Sequence, residues 1–336
     1  MRRTRWTVPF SVAVVIVLGV TAGAVWAAGV WPSGSAHPTA RVRRVPTSRP
    51  LVSAPASSCR SPLTPDAPLR LWIGGDSLAG SLGPALGTLA GDTGVVQPVF
   101  DSRVSSGLTT PGFFDWPEHA TQEMARLDPE VAVFIIDAND SELVTGSATA
   151  ADAKARYAEL VTQMLDILAG PGSHRYVYWV GGPTIRDSTT DSGVRQLNDV
   201  ARSVVVRRPN TTYVDAYRLF GDSQGRFSFT LPDASGTPVL DRSDDGVHFT
   251  PAGADRLAQP IFQALDSQCR VQSQAVPGSP KAVIETPGST QVGSGQGTAP
   301  STRPPPTSPP TSPPAPAPPT TRAPVVTLPR SGTTRT

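Results

Sequence analysis

Five short apolar runs, separated by stretches of helical periodicity, constrain the fold of this chain most strongly. They cover residues 70–75, 95–100, 130–136, 175–181 and 211–217. Most are nearly continuously apolar, which suits strands of a parallel sheet covered by helices on both faces. We therefore predict a doubly wound parallel sheet in a three-layer α/β/α arrangement, with functional groups at the carboxyl ends of the strands.

The segments between these runs supply the helices. Leucines recur at helical spacing after the first run, at Leu78, Leu82, Leu86 and Leu89, and similar patterns cover residues 151–170 and 194–206. A final helix is predicted to begin at Thr250-Pro251, because threonine can cap a helix and proline fits its first turn.

One domain is expected, at residues 59–270. Proline, serine, threonine and glycine concentrate in residues 32–58 and 271–336, which hold too few large apolar residues to offset the entropy of ordering the chain. We predict an extracytoplasmic linker for the first stretch and a disordered tail for the second. The residues between them are numerous enough to bury the core of a single domain.

The first 31 residues predict export. Three arginines precede an uncharged apolar stretch, residues 8–31, that is long enough to span a bilayer with its amino end in the cytoplasm. Trp26 and Trp31 suit the outer interface, so we favour a retained single-pass membrane anchor with an extracytoplasmic domain. Ala22-Gly23-Ala24 leaves open a cleaved signal peptide, which would give a secreted protein.

The charge balance argues against a nucleic-acid partner. Residues 51–270 carry 17 basic and 26 acidic residues, although the whole chain has a formal net charge of +2. Proteins that bind nucleic acids usually present a basic folded face, and this folded region has the opposite balance.

The chain has 2 cysteines, Cys59 and Cys269, which flank the predicted domain. In an oxidising compartment such a pair can join the two ends of a domain and restrict the unfolded chain. We predict a disulfide between them; two unrelated thiols are the alternative.

Ser77 falls where the first predicted strand ends and the first helix begins. The free backbone N–H groups at a helix start favour a developing negative charge, so the serine can act as a nucleophile there. A serine at this position can also cap the helix without any catalytic role. The tripeptide Gly-Asp-Ser recurs at residues 221–223, where no helix pattern follows, and we interpret that copy as a turn.

His248 can complete a catalytic triad. Of the 4 histidines, it alone precedes a predicted helix with a carboxylate, Asp245, three residues earlier. Asp245 can orient one imidazole nitrogen while the other takes the proton of Ser77. A surface-loop histidine is the alternative. The scattered histidines and the acids around residues 241–245 lack the spacing of metal ligands, so we expect no metal and no cofactor.

Four blocks, in order, resemble the SGNH or GDSL hydrolase family: Gly75-Asp76-Ser77, Gly107, Asn139 and Asp245-x-x-His248. The resemblance spans about residues 70–266 and implies a flavodoxin-like fold with serine-dependent ester hydrolysis or acyl transfer. It makes Ser77 the nucleophile, His248 the general base and Asp245 its orienter. It also implies an oxyanion hole formed by the N–H groups of Ser77 and Gly107 and the side chain of Asn139.

One residue departs from the family pattern. The block around Asn139 usually reads Gly-x-Asn-Asp, and Asp137 replaces the glycine here. Aspartate adopts left-handed backbone angles more readily than most residues, so the turn can survive. A carboxylate beside a site that stabilises negative charge nevertheless weakens the case for catalysis.

The stretch after the fourth run resembles a Gly-x-Pro-x-x-Arg segment found in an exported, mostly uncharacterised bacterial subgroup of the family. In that segment Arg186 is expected at the rim of the site, where it would bind an anionic or sugar substrate. An ordinary surface arginine is the alternative.

These features together predict an extracytoplasmic serine esterase or O-acyltransferase that works through an acyl-enzyme. Its expected substrates are ester-bearing small molecules or envelope polysaccharides, with O-acetyl groups as the preferred target. A catalytically silent domain of the same fold that binds cell-wall glycan is the alternative, and Asp137 is the reason for keeping it open.

Overall fold

The computed structural model describes residues 59–146 and 149–289, which contain one central parallel sheet. The strands are β1 (Leu69–Gly75), β2 (Val96–Ser102), β3 (Val131–Ile135), β4 (Tyr176–Val180), β5 (Thr211–Val214), β6 (Thr230–Pro232), β7 (Pro238–Leu240) and β8 (Ile284–Glu285). Six of them form the sheet in the order β5-β4-β3-β1-β2-β8, and every neighbouring pair is parallel. The order β2-β1-β3-β4-β5 is that of flavodoxin-like folds, so the predicted doubly wound sheet is confirmed.

Helices alternate with the strands along the chain. They are α1 (Ser77–Gly91), α2 (Trp116–Leu127), α3 (Glu142–Thr145), α4 (Ala150–Ala169), α5 (Ser188–Val205), α6 (Ala216–Leu219) and α7 (Pro251–Cys269). The helices predicted near residues 78–89, 151–170, 194–206 and from Thr250 onward all form. The sequence patterns missed α2 and the antiparallel β6–β7 hairpin.

The longer helices cover both faces of the sheet and create two apolar layers. On one face Leu82 of α1 and Ile261 of α7 are fully or almost fully buried against the strands. On the other face Met124 of α2, Leu165 of α4 and Leu197 of α5 form the second layer. The three-layer α/β/α architecture is therefore confirmed, and the loops at the carboxyl edge are left to form a site.

The predicted tail begins too early. Val271 is completely buried, β8 pairs with β2, and the Thr286 amide donates to the Phe100 carbonyl over 2.9 Å. Residues 271–289 belong to the domain because the open edge of β2 offers backbone partners that composition does not reveal. The predicted tail from residue 290, the predicted linker at 32–58 and the predicted anchor at 1–31 lie outside the described residues. Within the described part, no helix has the length and hydropathy needed to cross a membrane.

A disulfide joins Cys59 to Cys269 across 210 residues of chain. It ties the start of the domain to the last residue of α7 and closes a very long loop. A crosslink of this kind acts mainly by restricting the unfolded chain.

We expect the double variant Cys59→Ser/Cys269→Ser to lose about 2–5 kcal/mol of unfolding free energy, because its unfolded chain regains that freedom. Urea titration measures the loss, and reduced, alkylated wild-type protein is the matched control. Equal unfolding midpoints for oxidised wild type and the double variant would contradict a stabilising role for the crosslink.

Candidate active site

The chain places Ser77 at the carboxyl end of the central strand β1. Asp76 caps α1 by accepting a hydrogen bond from the Leu78 amide over 2.8 Å, and Ser77 is the first helical residue. Gly75 has φ 146°, and a Cβ on it would lie 1.8 Å from the Ile135 carbonyl oxygen. Only glycine therefore permits this strand-to-helix turn.

Folding brings His248 and Asp245 to Ser77 although 171 residues separate the serine from the histidine. The Ser77 Oγ and His248 Nε2 atoms are 2.8 Å apart, and His248 Nδ1 lies 2.6 Å from Asp245 Oδ2. Asp245 Oδ1 also accepts the amides of Val247 and His248 over 2.7 and 2.9 Å. Both distances to the imidazole lie within hydrogen-bond reach, which a nucleophile, base and orienter require.

The electrostatics of Asp245 suit an orienting carboxylate. Burial favours its neutral form, but hydrogen bonds from the His248 ring and from two backbone amides outweigh burial and lower its pKa from 3.8 to about 2. Asp245 therefore stays ionised over the pH range in which an imidazole ordinarily titrates, and can stabilise an imidazolium at His248.

Asn139 lies between the segments that carry Ser77 and Gly107. It follows β3 in the 3₁₀ turn Ala138–Asp140, and its Nδ2 group donates to the Ser106 carbonyl over 2.8 Å. The same nitrogen is 3.4 Å from Asp76 Oδ2. Because Ser106 and Asp76 immediately precede Gly107 and Ser77, the structure gathers the three predicted oxyanion residues at the ends of β1, β2 and β3.

Asp140 anchors the loop that contains Gly107. Its carboxyl oxygens accept the Leu108 amide over 3.0 Å and the Thr109 amide and hydroxyl over 2.9 and 2.7 Å. On the other side of Gly107, the Ser106 hydroxyl accepts the indole N–H of Trp116 over 2.8 Å. The loop is thus held on both sides of the residue whose N–H group is expected to face an oxyanion.

Buried carboxyl groups flank this region. Burial raises the pKa of Asp76 from 3.8 to about 7, and it also raises the pKa of Asp140. For Asp137 burial comes first and the charges of Asp140 and Asp76 add to it, so its pKa lies well above 3.8. Raised pKa values favour the neutral acids, and the negative charge close to the site is correspondingly reduced.

The backbone of Asp137 does not adopt the left-handed conformation considered for it from the sequence. Its φ of −171° is extended backbone, so no left-handed conformation is needed. The side chain is 2% exposed, and its Oδ2 atom accepts the Gly182 amide over 2.9 Å. Its carboxyl is thus tied to the segment after β4, and its raised pKa lessens the negative charge that it brings near the predicted oxyanion site.

We expect Asp137→Asn to preserve activity and to weaken the loss of stability that accompanies rising pH in wild type. The amide keeps an acceptor for Gly182 and cannot ionise. In wild type the pKa of the Asp137 carboxyl is raised in the folded state, so the free energy of unfolding falls as the pH rises above 3.8. The stability of Asp137→Asn relative to wild type should therefore increase as the pH rises above that value.

Denaturant titrations at acidic and neutral pH measure this difference, with Asp137→Gly as the control that removes the Gly182 contact. An Asp137→Asn variant with unchanged pH dependence of stability, or without activity, would contradict a neutral, buried role for Asp137.

Arg186 is exposed, but its guanidinium is engaged by the protein. Its Nη1 and Nη2 groups donate to the carbonyls of Asp244 and Asp245 over 2.9 and 3.2 Å. The structure therefore places it against the segment that carries Asp245 and His248.

Sequence reasoning missed Arg242, which is completely buried under the same segment, because no local pattern distinguishes it from a surface arginine. Within the described residues, no group of three or more histidine, cysteine or acidic side chains is arranged to hold a metal ion.

Several solved structures resemble the chain at low sequence identity. An alpha/beta hydrolase enzyme from the metagenome of Lake Arreo, Spain, shares 15% identity with a TM-score of 0.44, over 58% of this chain and 94% of that one. The M. smegmatis aryl esterase shares 16% identity with a TM-score of 0.42, over 59% and 99% of the two chains. A Clostridium thermocellum family 3 carbohydrate esterase shares 16% identity with a TM-score of 0.41, over 62% and 99%. No curated protein matches the chain.

The sheet order, with the first three sequence blocks after β1, β2 and β3 and the fourth just before α7, defines a protein of the SGNH hydrolase fold. Within that class the chain belongs to the DUF459 family of proteins of unknown function, whose sequence profile covers residues 70–264.

Proposed function

We propose that the protein is a serine esterase or O-acyltransferase that acts through an acyl-enzyme on Ser77. The observation that carries the proposal is the continuous hydrogen-bonded line from Asp245 through His248 to Ser77, with distances of 2.6 and 2.8 Å. Serine is a weak nucleophile by itself, and an adjacent oriented imidazole is the usual means of activating it.

In the first half-reaction His248 Nε2 takes the hydroxyl proton while Ser77 Oγ attacks the ester carbonyl carbon. The carbonyl oxygen becomes an oxyanion, and the donors that would bind it are the N–H groups of Ser77 and Gly107 and the side-chain amide of Asn139. Collapse of this intermediate breaks the bond to the alcohol oxygen, and His248 returns the proton to that leaving group. An acyl group then remains on Ser77.

In the second half-reaction His248 removes a proton from water or from a sugar hydroxyl, whose oxygen attacks the acyl carbon. The Ser77 oxygen leaves and recovers its proton from His248. With water the product is a carboxylic acid, and with a sugar hydroxyl it is a new ester. Hydrolase and transferase therefore share every protein group and differ only in the acceptor.

We propose an envelope polysaccharide, O-acetylated in particular, as the natural substrate. The arginine-led apolar segment at residues 1–31 favours export and a membrane anchor, and the Cys59–Cys269 disulfide agrees with an oxidising compartment. Ester-bearing polymers of the envelope are the substrates available to an enzyme held there.

The test uses the full chain with p-nitrophenyl acetate and with acetylated and deacetylated wall polysaccharide. We expect release of p-nitrophenol, and either free acetate or acetyl transfer to an added glycan, resolved by mass spectrometry. Ser77→Ala is the inactive control. Binding to wall glycan without any reaction, combined with no labelling by a fluorophosphonate probe, would contradict the proposal and favour a silent glycan-binding domain.

A further inference from the structure

The turn that carries Asp245 and His248, residues 243–248, is held by two arginines from outside it. Here it is called the Asp–His turn. Arg242 pairs with Phe249 in an isolated antiparallel bridge that closes the base of the turn, and the Ser243 amide donates to the His248 carbonyl over 2.9 Å. Its own backbone bonds are few, so its shape depends on groups that bind its carbonyl oxygens.

Arg186 binds the first part of the turn. Its guanidinium donates to the carbonyls of Asp244 and Asp245, and its backbone amide donates to the Gly246 carbonyl over 3.1 Å. Gly246 has φ 75°, and a Cβ there would lie 2.4 Å from the Arg186 Cβ. The turn and the Arg186 backbone are therefore in direct contact.

Arg242 binds the second part of the turn, residues 247 and 248, from its buried side. Its Nη2 group donates to the Val247 carbonyl, and its Nε is 3.4 Å from the His248 carbonyl oxygen. Its Nη1 group donates over 2.6 Å to the carbonyl of Thr184, two residues before Arg186. One guanidinium thus connects the turn to the segment that presents the other arginine.

The surroundings of Arg242 are unusual for a charged side chain. It is completely buried, and the rings of Phe220, Phe227 and Phe249 lie with centroids 5.1 to 5.6 Å from its guanidinium carbon. Burial lowers the pKa of Arg242 to about 10, so it remains a cation at neutral pH. A buried cation is costly unless hydrogen bonds compensate it, and carbonyls of the turn and of Thr184 provide that compensation.

We propose that Arg186 and Arg242 form a clamp of positioning residues that binds every carbonyl from Asp244 to His248 and thereby holds His248 Nε2 within reach of Ser77. The inference rests on the proposed function, because its kinetic test assumes that Ser77, His248 and Asp245 react with esters. It replaces the expectation that Arg186 binds substrate.

The kinetic test compares Arg186→Ala and Arg186→Lys in the full chain, with p-nitrophenyl acetate as a small neutral substrate. Arg195→Ala is the matched control, because both arginines are exposed and lie over an aromatic ring: Arg186 over Phe229 and Arg195 over Tyr217. We expect kcat of Arg186→Ala to fall by about 100-fold with an unchanged KM, since misplacing a catalytic group by an ångström has effects of that size.

Arg186→Lys should retain an intermediate kcat, because an ammonium group presents no planar fork of donors. Added guanidinium chloride at non-denaturing concentration should restore part of the kcat of Arg186→Ala and leave Arg195→Ala unaffected. A raised KM with unchanged kcat would instead make Arg186 a substrate-binding residue. A kcat equal to that of Arg195→Ala would overturn the clamp.

A second readout does not depend on ester chemistry. The Nδ1 proton of His248, shared with Asp245, is expected to give a downfield proton NMR signal, assigned by its loss in His248→Ala. We expect it to broaden or vanish in Arg186→Ala and to return with guanidinium. If wild type lacks esterase activity but this response is seen, the clamp stands and the proposed function fails; if wild type is active and the signal is unchanged in Arg186→Ala, only the clamp fails.

Discussion

Replacing Ser77 by alanine is expected to reduce kcat/KM for p-nitrophenyl acetate by at least about 10⁴-fold and to abolish labelling by fluorophosphonates. The hydroxyl oxygen of Ser77 lies within hydrogen-bond distance of His248 Nε2, and without it no acyl-enzyme forms. Any residual rate should come from binding and from the oxyanion donors. The fold should survive, because the Asp76 cap and the Gly75 turn do not involve the Ser77 hydroxyl.

The chain contains its own matched control for this variant. Ser223 stands in an identical Gly-Asp-Ser tripeptide, but it is exposed in a turn where the Gly225 amide donates to the Asp222 carbonyl over 2.8 Å. Ser223→Ala should therefore keep full activity and labelling. Equal activity of Ser77→Ala and wild type, or loss of activity in Ser223→Ala alone, would contradict the assignment of the nucleophile.

Replacing His248 by alanine should have an effect of similar size. Ser77 would lose its base and the leaving alcohol its proton donor, so both kcat and the rate of probe labelling should fall by about 10⁴-fold or more. Because Ser77 and His248 act as one unit, adding Ser77→Ala to His248→Ala should cost little more than either change alone.

His119 provides the control for His248. Its Nε2 atom lies 2.7 Å from Asp101 Oδ2, so it also pairs with a carboxylate. Its ring, on α2, packs edge-on against Phe114, which precedes that helix, and against Trp116. His119→Ala should alter thermal stability more than kcat. If His119→Ala abolished labelling while His248→Ala did not, the general base would be His119 and the triad proposed here would be wrong.

The sequence indicated the sheet well because each central strand is apolar on both faces. It missed α2 because Trp116, Ala120 and Met124 are the chief apolar residues that this helix buries, spaced four apart among polar ones. The pairing of β8 was not visible either, since two exposed residues form a strand only where the edge of β2 is available. In both cases the deciding partner is distant in the chain.

In the site too, the sequence predicts some residues and misses the contacts that depend on distant parts of the chain. Ser77 and Asn139 could be proposed because strand ends meet at one edge of a parallel sheet, a rule that needs only the order of elements. His248 could be proposed because it precedes a capped helix and has Asp245 three residues earlier. The contacts of Arg186 and the burial of Arg242 depend on how residues 184–186, 220–229 and 242–249 pack together. No spacing in the sequence encodes that packing.

The most direct test of the account is to map a fluorophosphonate adduct by peptide mass spectrometry on wild type, His248→Ala and Ser223→Ala. We expect one adduct, on the peptide containing Ser77, in wild type and Ser223→Ala, and none in His248→Ala. An adduct on another serine, or undiminished modification of Ser77 in His248→Ala, would contradict the claim that His248 activates Ser77.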